Sequence, residues 1–259
     1  MTILDQLSQY AKERVKKAKL EIPAEEMAER ATSLPVGMFA FEKALKKDGI
    51  SFICECKKAS PSKGLIAPDF PYLDIAKEYE AAGADCISVL TEPKWFLGSN
   101  EYLKEIAVNV SIPCLRKDFT IDEYMICEAK LLGAQAVLLI CSILEKEQIK
   151  RYIGICDKLG FSALVEAHDE QEVKTAISAG ARIIGVNNRN LKDFSVDTEN
   201  SRRLRSLIPN DILFVSESGV KTSDDVRSLR EIGADAVLVG ETLMRADDKK
   251  AKLAYLRGA

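Results

Sequence analysis

FICECKKASPSKG, residues 52–64, decides how the rest of the chain is read. It starts as a short apolar run and turns polar at its far end. On a β-strand, successive side chains point to opposite faces. Glu55 and Lys57 then share one face, and Cys54 and Cys56 share the other. Ser60, Pro61, Ser62, Lys63 and Gly64 follow as a loop. An acid beside a base, where a buried strand meets a loop, suits an active-site rim. A surface ion pair on an edge strand is the plainer alternative, and the neighbouring segments must decide.

Downstream the same punctuation recurs. A helix over 73–82 stops at Gly83, and a strand follows over 86–92. Gly133 leads into an apolar run over 136–143, Gly160 into 162–168, Gly180 into 183–189 and Gly233 into 236–241. Glycine at these points suits the left-handed turn that ends a helix. Short, continuous Val/Ile/Leu runs suit parallel strands covered on both faces by helices. Two further strands, 113–119 and 213–218, each follow a helix and a Pro-containing turn.

Counting from Phe52 gives about eight strand–helix units, as an α/β fold of the (β/α)₈ TIM barrel type requires. A doubly wound open sheet is the rival, since it also alternates strand and helix. No GxGxxG follows the first strand, and the polar residues fall at strand ends all round the chain rather than at one switch point. Both features favour the barrel. Upstream, Ile3, Leu4, Leu7, Tyr10, Ala11, Val15 and Ala18 form an apolar stripe on a helix over 3–20. That stripe needs an apolar surface, and the helix is expected to border the barrel mouth. A second short helix is expected over 38–47. Residues 1–259 therefore read as a single barrel domain, with 1–48 as an N-terminal helical extension.

Composition narrows the function. The 259 residues are 47% hydrophobic, with a net charge of -3. Such a balance suggests neither a nucleic-acid nor a membrane-surface binder. No apolar run reaches the roughly 18 to 20 residues that span a bilayer, and the N-terminus lacks the apolar core of a signal peptide. The seven cysteines are odd in number and mostly within apolar segments. No CxxC pair occurs, so free thiols in a reducing cytoplasm are expected, and no metal site.

The strand-end polar residues are Glu55 and Lys57, Glu92, Lys117 with Phe119, Glu166, Asn187 with Arg189, Glu217 with Ser218, and Gly240. In a barrel these ends converge on one mouth, where active sites sit. A structural ion-pair network would explain one or two of them, but not so many strands turning charged at one end. Gly219 and Gly240 follow the last two strands, where backbone N–H groups often bind phosphate; ordinary βα turns are the alternative. Ser60 and Lys63 lie on the first loop and would close over a ligand there. His168 is the only histidine, which excludes a His pair. Trp95 and Phe96 read as loop packing or as an aromatic wall for a flat substrate.

ECKKASPSKG, SVLTE, LRKDF, LVEAHD, GVNNRNL, VSESGV and VLVGETLM, in this order, resemble the strand-end motifs of indole-3-glycerol phosphate synthases. The resemblance covers nearly the whole chain. It implies closure of the indole ring in tryptophan biosynthesis, from 1-(2-carboxyphenylamino)-1-deoxyribulose 5-phosphate, with loss of carbon dioxide and water and no cofactor. It assigns Lys117 as general acid, Glu166 as its acid–base partner, and Glu55 with Lys57 to dehydration. Asn187, Arg189, Glu217 and Ser218 would orient the substrate. Phe96, Phe119, Leu138 and Leu191 would line its phenyl ring. Lys57, Ser60, Gly219, Gly240 and the backbone of Glu241 would meet the phosphate. The Glu241 carboxylate would repel phosphate and is expected to point away.

The implied substrate is a small phosphosugar, and the resemblance leaves room for association with other tryptophan-pathway enzymes. The fused isomerase of some relatives is expected to be absent. Another phosphosugar barrel, such as phosphoribosylanthranilate isomerase, shares the phosphate loops but not this lysine and glutamate set. A catalytically silent binding barrel would have no need of it. Whether burial or carboxylates control the Lys117 ammonium is open at the level of sequence.

Overall fold

A computed structural model of the chain describes residues 2–190 and 194–258. Three helices precede the first strand: α1 (Ile3–Glu21), α2 (Ala24–Ser33) and α3 (Ala40–Leu45). The strands are β1 (Ser51–Cys56), β2 (Cys86–Leu90), β3 (Cys114–Lys117), β4 (Ala136–Ile140), β5 (Ser162–Ala167), β6 (Ile183–Asn187), β7 (Leu213–Glu217) and β8 (Ala236–Val239). All neighbours pair in parallel, and β8 pairs with β1 to close the barrel. The open-sheet alternative is therefore excluded.

Helices fill the crossovers: α4 (Tyr72–Ala81), α5 (Asn100–Asn109), α6 (Glu123–Leu131), α7 (Lys146–Lys158), α8 (Glu170–Ser178), α9 (Glu199–Arg205) and α10 (Ser223–Glu231). The short α11 (Glu241–Met244) and then α12 (Lys249–Arg257) follow β8. Glycines at 83, 133, 160, 180 and 233 all take positive φ just beyond a helix, as the punctuation predicts. Every strand stops one to three residues before its sequence-predicted end. The run over 136–143, for example, ends as a 3₁₀ turn at Cys141–Ile143.

Strand alternation sorts the core into two layers. Inside the barrel lie Ile53, Leu115, Leu138, Leu164, Ile183, Val215 and Leu238. Cys54, Cys56, Ile87, Val165, Ile184 and Val237 pack outward against the helices. The expected parity of β1 is thus the observed one. All seven cysteines are free and buried. Truncating Cys54 or Cys56 to alanine is expected to cost roughly 1 to 3 kcal/mol of stability, read as a lowered urea midpoint, with turnover per folded molecule unchanged.

The connector between the first helix and the barrel contains a helix that the sequence reading did not place. In α2 only Met27 and Ala31 are buried, too sparse a stripe to stand out. The helix expected over 38–47 is shorter, starting after Phe39, whose φ is 52°. Phe41 and Leu45 of α3 join the inner layer, and Glu42 is paired with Arg182, the residue just before β6. At the other end Leu7 and Ala11 of α1 also join that layer. Among the described residues no helix is long and apolar enough to cross a membrane.

Candidate active site

The C-terminal ends of the strands open into a cavity of about 570 Å³, within the usual range for small-molecule sites. Glu55, Lys57, Lys117, Glu166, Asn187 and Glu217 line it, with Leu138, Phe96, Phe119, Arg189 and Ser218 around them. Ser60, Gly219, Gly240 and Glu241 lie on its rim. Leu191 falls outside the described residues. Ile3, Leu4 and Leu7 of α1 cover one side, as the apolar stripe predicts.

Register explains the convergence. Glu55 lies opposite Ser88, Glu166 opposite Gly185, and Asn187 opposite Glu217. Carboxylates from β1, β5 and β7 thereby face the same axis as Lys117 on β3. The Lys117 ammonium lies 3.6 Å from a carboxylate oxygen of Glu166 and 3.6 Å from one of Glu217. Asn187 donates from Nδ2 to Glu166 at 3.1 Å. Lys57 donates to Glu55 at 2.5 Å.

Burial strips solvent from the Lys117 ammonium and favours its neutral form, but Glu217, Glu166 and Glu55 outweigh that effect. Its pKa lies above the ordinary lysine value, so it is charged at neutral pH. Burial also opposes the charge on Glu55, yet Lys57 and Lys117 hold its pKa below normal. Three carboxylates facing two ammonium groups leave one excess negative charge. That excess is relieved at Glu217, which holds its proton at neutral pH and whose Oε1 is buried without a hydrogen-bond partner. Desolvation, with Lys117 too widely shared to compensate, pushes Glu217 up to about 8.

A carboxyl whose folded pKa exceeds its unfolded value stabilises most at low pH, and that stability fades as pH rises through the folded value. The wild type should therefore lose stability between about pH 4.5 and 8 through this group. Glu217→Gln should remove that slope and be the more stable protein at pH 8 by roughly 2 to 4 kcal/mol. Urea unfolding of both proteins across the window checks this; parallel curves would contradict it.

The loops after β7 and β8 are built tightly. Ser218 has φ 67° and Gly219 φ 96°. Asn188 donates to the Ser218 carbonyl at 3.1 Å, and Thr242 to the Val220 carbonyl at 2.6 Å. The Glu241 carboxylate turns to Arg245 at 3.0 Å and lies 3.8 Å from Lys63. Lys63 sits on a hairpin formed by Ala59–Ser60 and Gly64–Leu65.

Glu92 corrects the reading of strand ends. It is absent from the cavity wall, fully buried, and its carboxylate turns back onto its own loop. Trp95 and Phe96 also part ways. Trp95 packs edge-on against Tyr10 of α1, whereas Phe96 faces the cavity with its ring centroid 6.0 Å from that of Phe119. His168 stays outside the cavity wall, with Nδ1 2.9 Å from the Asn187 carbonyl.

Several contributors escape the sequence reading. Asp118 accepts from Arg14 of α1 at 2.6 Å, from Thr91 at 2.6 Å and from the Phe119 N–H at 2.8 Å. It pins the turn that carries both Lys117 and Phe119. Gly185 leaves room for Glu217, because a Cβ there would come within 2.1 Å of its Oε1. On β6 it lies two residues before Asn187 and so shares its face.

A model of the indole-3-glycerol phosphate synthase family matches residues 4–256. The chain belongs to the indole-3-glycerol phosphate synthase family. It is 60% identical over 258 residues to an indole-3-glycerol phosphate synthase of Ruminiclostridium cellulolyticum, covering 99% of each chain. A second from Lachnoclostridium phytofermentans is 48% identical over 267 residues, covering 98% of each. Among solved structures, 3-hexulose-6-phosphate synthase from Salmonella typhimurium superposes with a TM-score of 0.65 at 15% identity, over 81% of this chain and 97% of that one. That likeness is one of fold alone.

Proposed function

We propose that Lys117 delivers the proton for indole ring closure, that Glu166 stabilises the cation that follows, that Glu217 helps to orient the substrate, and that Glu55 and Lys57 serve the dehydration. The activity is the family's. It is a carboxy-lyase reaction of tryptophan biosynthesis, converting 1-(2-carboxyphenylamino)-1-deoxyribulose 5-phosphate to indole-3-glycerol phosphate, carbon dioxide and water. The observation that carries the assignment is Lys117, half-buried at the mouth and 3.6 Å from two carboxylates.

Phe96, Phe119 and Leu138 receive the phenyl ring. Arg189 faces its carboxylate, with Asn187 and Ser218 orienting the sugar hydroxyls. The phosphate rests on the N–H groups of Gly219, Gly240 and Glu241, with Ser60 and Lys57 beside it. The ring carbon bearing the carboxylate attacks the ketone carbon. As that bond forms, the ketone oxygen takes a proton from the Lys117 ammonium and becomes a hydroxyl.

The ring is now an iminium cation, and the nearby carboxylates stabilise it without reorganising. Loss of carbon dioxide returns an electron pair to the ring. The hydroxyl then leaves as water, protonated by one member of the Glu55–Lys57 pair, while the adjacent carbon loses a proton to the other. A charged Lys117 suits the first step, since its proton is present at neutral pH and strengthens its hold on a developing oxyanion.

We place the reaction in the cytoplasm, where seven buried thiols stay reduced. Residues 1–48 are assigned as an extension of one barrel domain, with α1 shielding the bound substrate. Incubating the purified protein with the carboxyphenylamino substrate, and following indole fluorescence with chromatographic identification of product, tests the function. Indole-3-glycerol phosphate is the expected product. Folded protein that makes none, or that isomerises phosphoribosylanthranilate instead, would overturn it.

A further inference from the structure

Glu92 stands at the base of the loop after β2. Its carboxylate accepts the N–H groups of Lys94 at 2.9 Å, Trp95 at 2.8 Å and Phe96 at 2.9 Å. Its carbonyl accepts the Gly98 N–H at 2.8 Å. Peptide groups of one short loop thus surround a side chain with no solvent exposure. Irregular backbone must find partners for its N–H groups, and here one carboxylate supplies three of them.

Three coverings of the mouth lean on that loop. Phe96 forms part of the cavity wall beside Phe119. The Phe96 carbonyl accepts the N–H of Ala59 at 3.2 Å, where the hairpin carrying Ser60 and Lys63 begins. Trp95 meets Tyr10 of α1 with ring centroids 5.6 Å apart and planes at 84°. The path of the loop is confined as well: Leu97 takes φ 52°, and a Cβ on Gly98 would come within 2.3 Å of the Leu90 carbonyl oxygen.

We propose that Glu92 is a positioning residue for ring closure: by binding the N–H groups of residues 94–96, it fixes Phe96 against the aryl ring and seats the hairpin and α1 over the mouth. This rests on the function proposed above, because an aromatic wall serves an aryl substrate. Glu92 touches no reacting atom. It acts through Phe96, and a displacement of about 1 Å at such a wall can cost about 10²-fold in rate.

Trp95 is the only tryptophan of the chain, so its fluorescence reads the loop directly. The test compares wild type, Glu92→Ala and Glu92→Gln by steady-state kinetics, Trp95 emission and anisotropy, and urea midpoint. Glu92→Ala should raise KM about tenfold and lower kcat/KM on the order of 10²-fold. Its Trp95 emission should shift red and its anisotropy fall. Glu92→Gln keeps an acceptor for Trp95 and Phe96 but sets an amide against the Lys94 N–H, so it should fall in between. It is also the variant to read if Glu92→Ala does not fold.

Wild-type kcat/KM per folded molecule and wild-type Trp95 emission in Glu92→Gln, with only a lowered urea midpoint, would reduce Glu92 to a stabilising residue. A collapse of kcat with KM and emission unchanged would mark direct chemistry and overturn the proposal equally. Should the wild type make no indole-3-glycerol phosphate, the proposed function fails, while the Trp95 response still shows whether Glu92 holds the loop.

Discussion

Lys117→Ala is expected to lower kcat about 10³- to 10⁴-fold per folded molecule, with a smaller change in KM. A positioned acid typically contributes about 10²- to 10⁴-fold, and a charged donor at a developing oxyanion contributes comparably. No neighbour can take its place. Lys57 is committed to Glu55 at 2.5 Å, and Arg116, one residue away, points outward and pairs with Glu128 at 2.6 Å. The variant should also lose stability at neutral pH, because Glu55, Glu166 and Glu217 lose their shared cation; stranding buried charge costs roughly 3 to 5 kcal/mol. Steady-state kinetics and urea unfolding at pH 7 check both effects. A variant within tenfold of wild-type kcat would remove Lys117 from the acid role.

Gly240→Ala should lower kcat/KM by about 10²-fold or more, through both KM and kcat. A left-handed backbone is not the obstacle, since φ is -112°. Space is: the added Cβ would come within 2.4 Å of Glu55 Oε1 and 2.8 Å of Lys57 Nζ. Glu55 cannot retreat, being 3% exposed and bonded to Lys57 and Ser88. One methyl group therefore displaces the Glu55–Lys57 pair proposed for dehydration and crowds the N–H groups proposed for the phosphate. Displacements near 1 Å carry a penalty of about this size. Inorganic phosphate should also weaken as a competitive inhibitor. Wild-type kcat/KM and wild-type phosphate inhibition would show that Gly240 is an ordinary turn.

The barrel was legible because its signals are local. Glycine after five of the helices, a Pro-containing turn after two more, and an apolar run after each need no knowledge of distant residues. The parity of β1 likewise follows from the backbone, and it separated Glu55 and Lys57 from Cys54 and Cys56 correctly. Features that depend on three-dimensional counting were not legible. The charge state of Lys117 turns on three carboxylates arriving from β1, β5 and β7, a sum no single strand reveals. Glu92 was read as a strand-end residue like Glu166, yet the N–H groups of its own loop hold its carboxylate away from the cavity. Helix α2 was hidden because it buries only two side chains.

The central claim is a division of labour, with Lys117 serving ring closure and the Glu55–Lys57 pair serving dehydration. In the proposed sequence, carbon dioxide leaves between those two steps. The most direct measurement is the rate of carbon dioxide release against the rate of indole-3-glycerol phosphate formation, in one reaction, for Lys57→Ala and Lys117→Ala. In Lys57→Ala, carbon dioxide release should outrun product in the first turnover, as the ring-closed, decarboxylated intermediate accumulates. In Lys117→Ala, both should be lost together. Equal slowing of the two rates in Lys57→Ala, or wild-type carbon dioxide release in Lys117→Ala, would contradict the assignment.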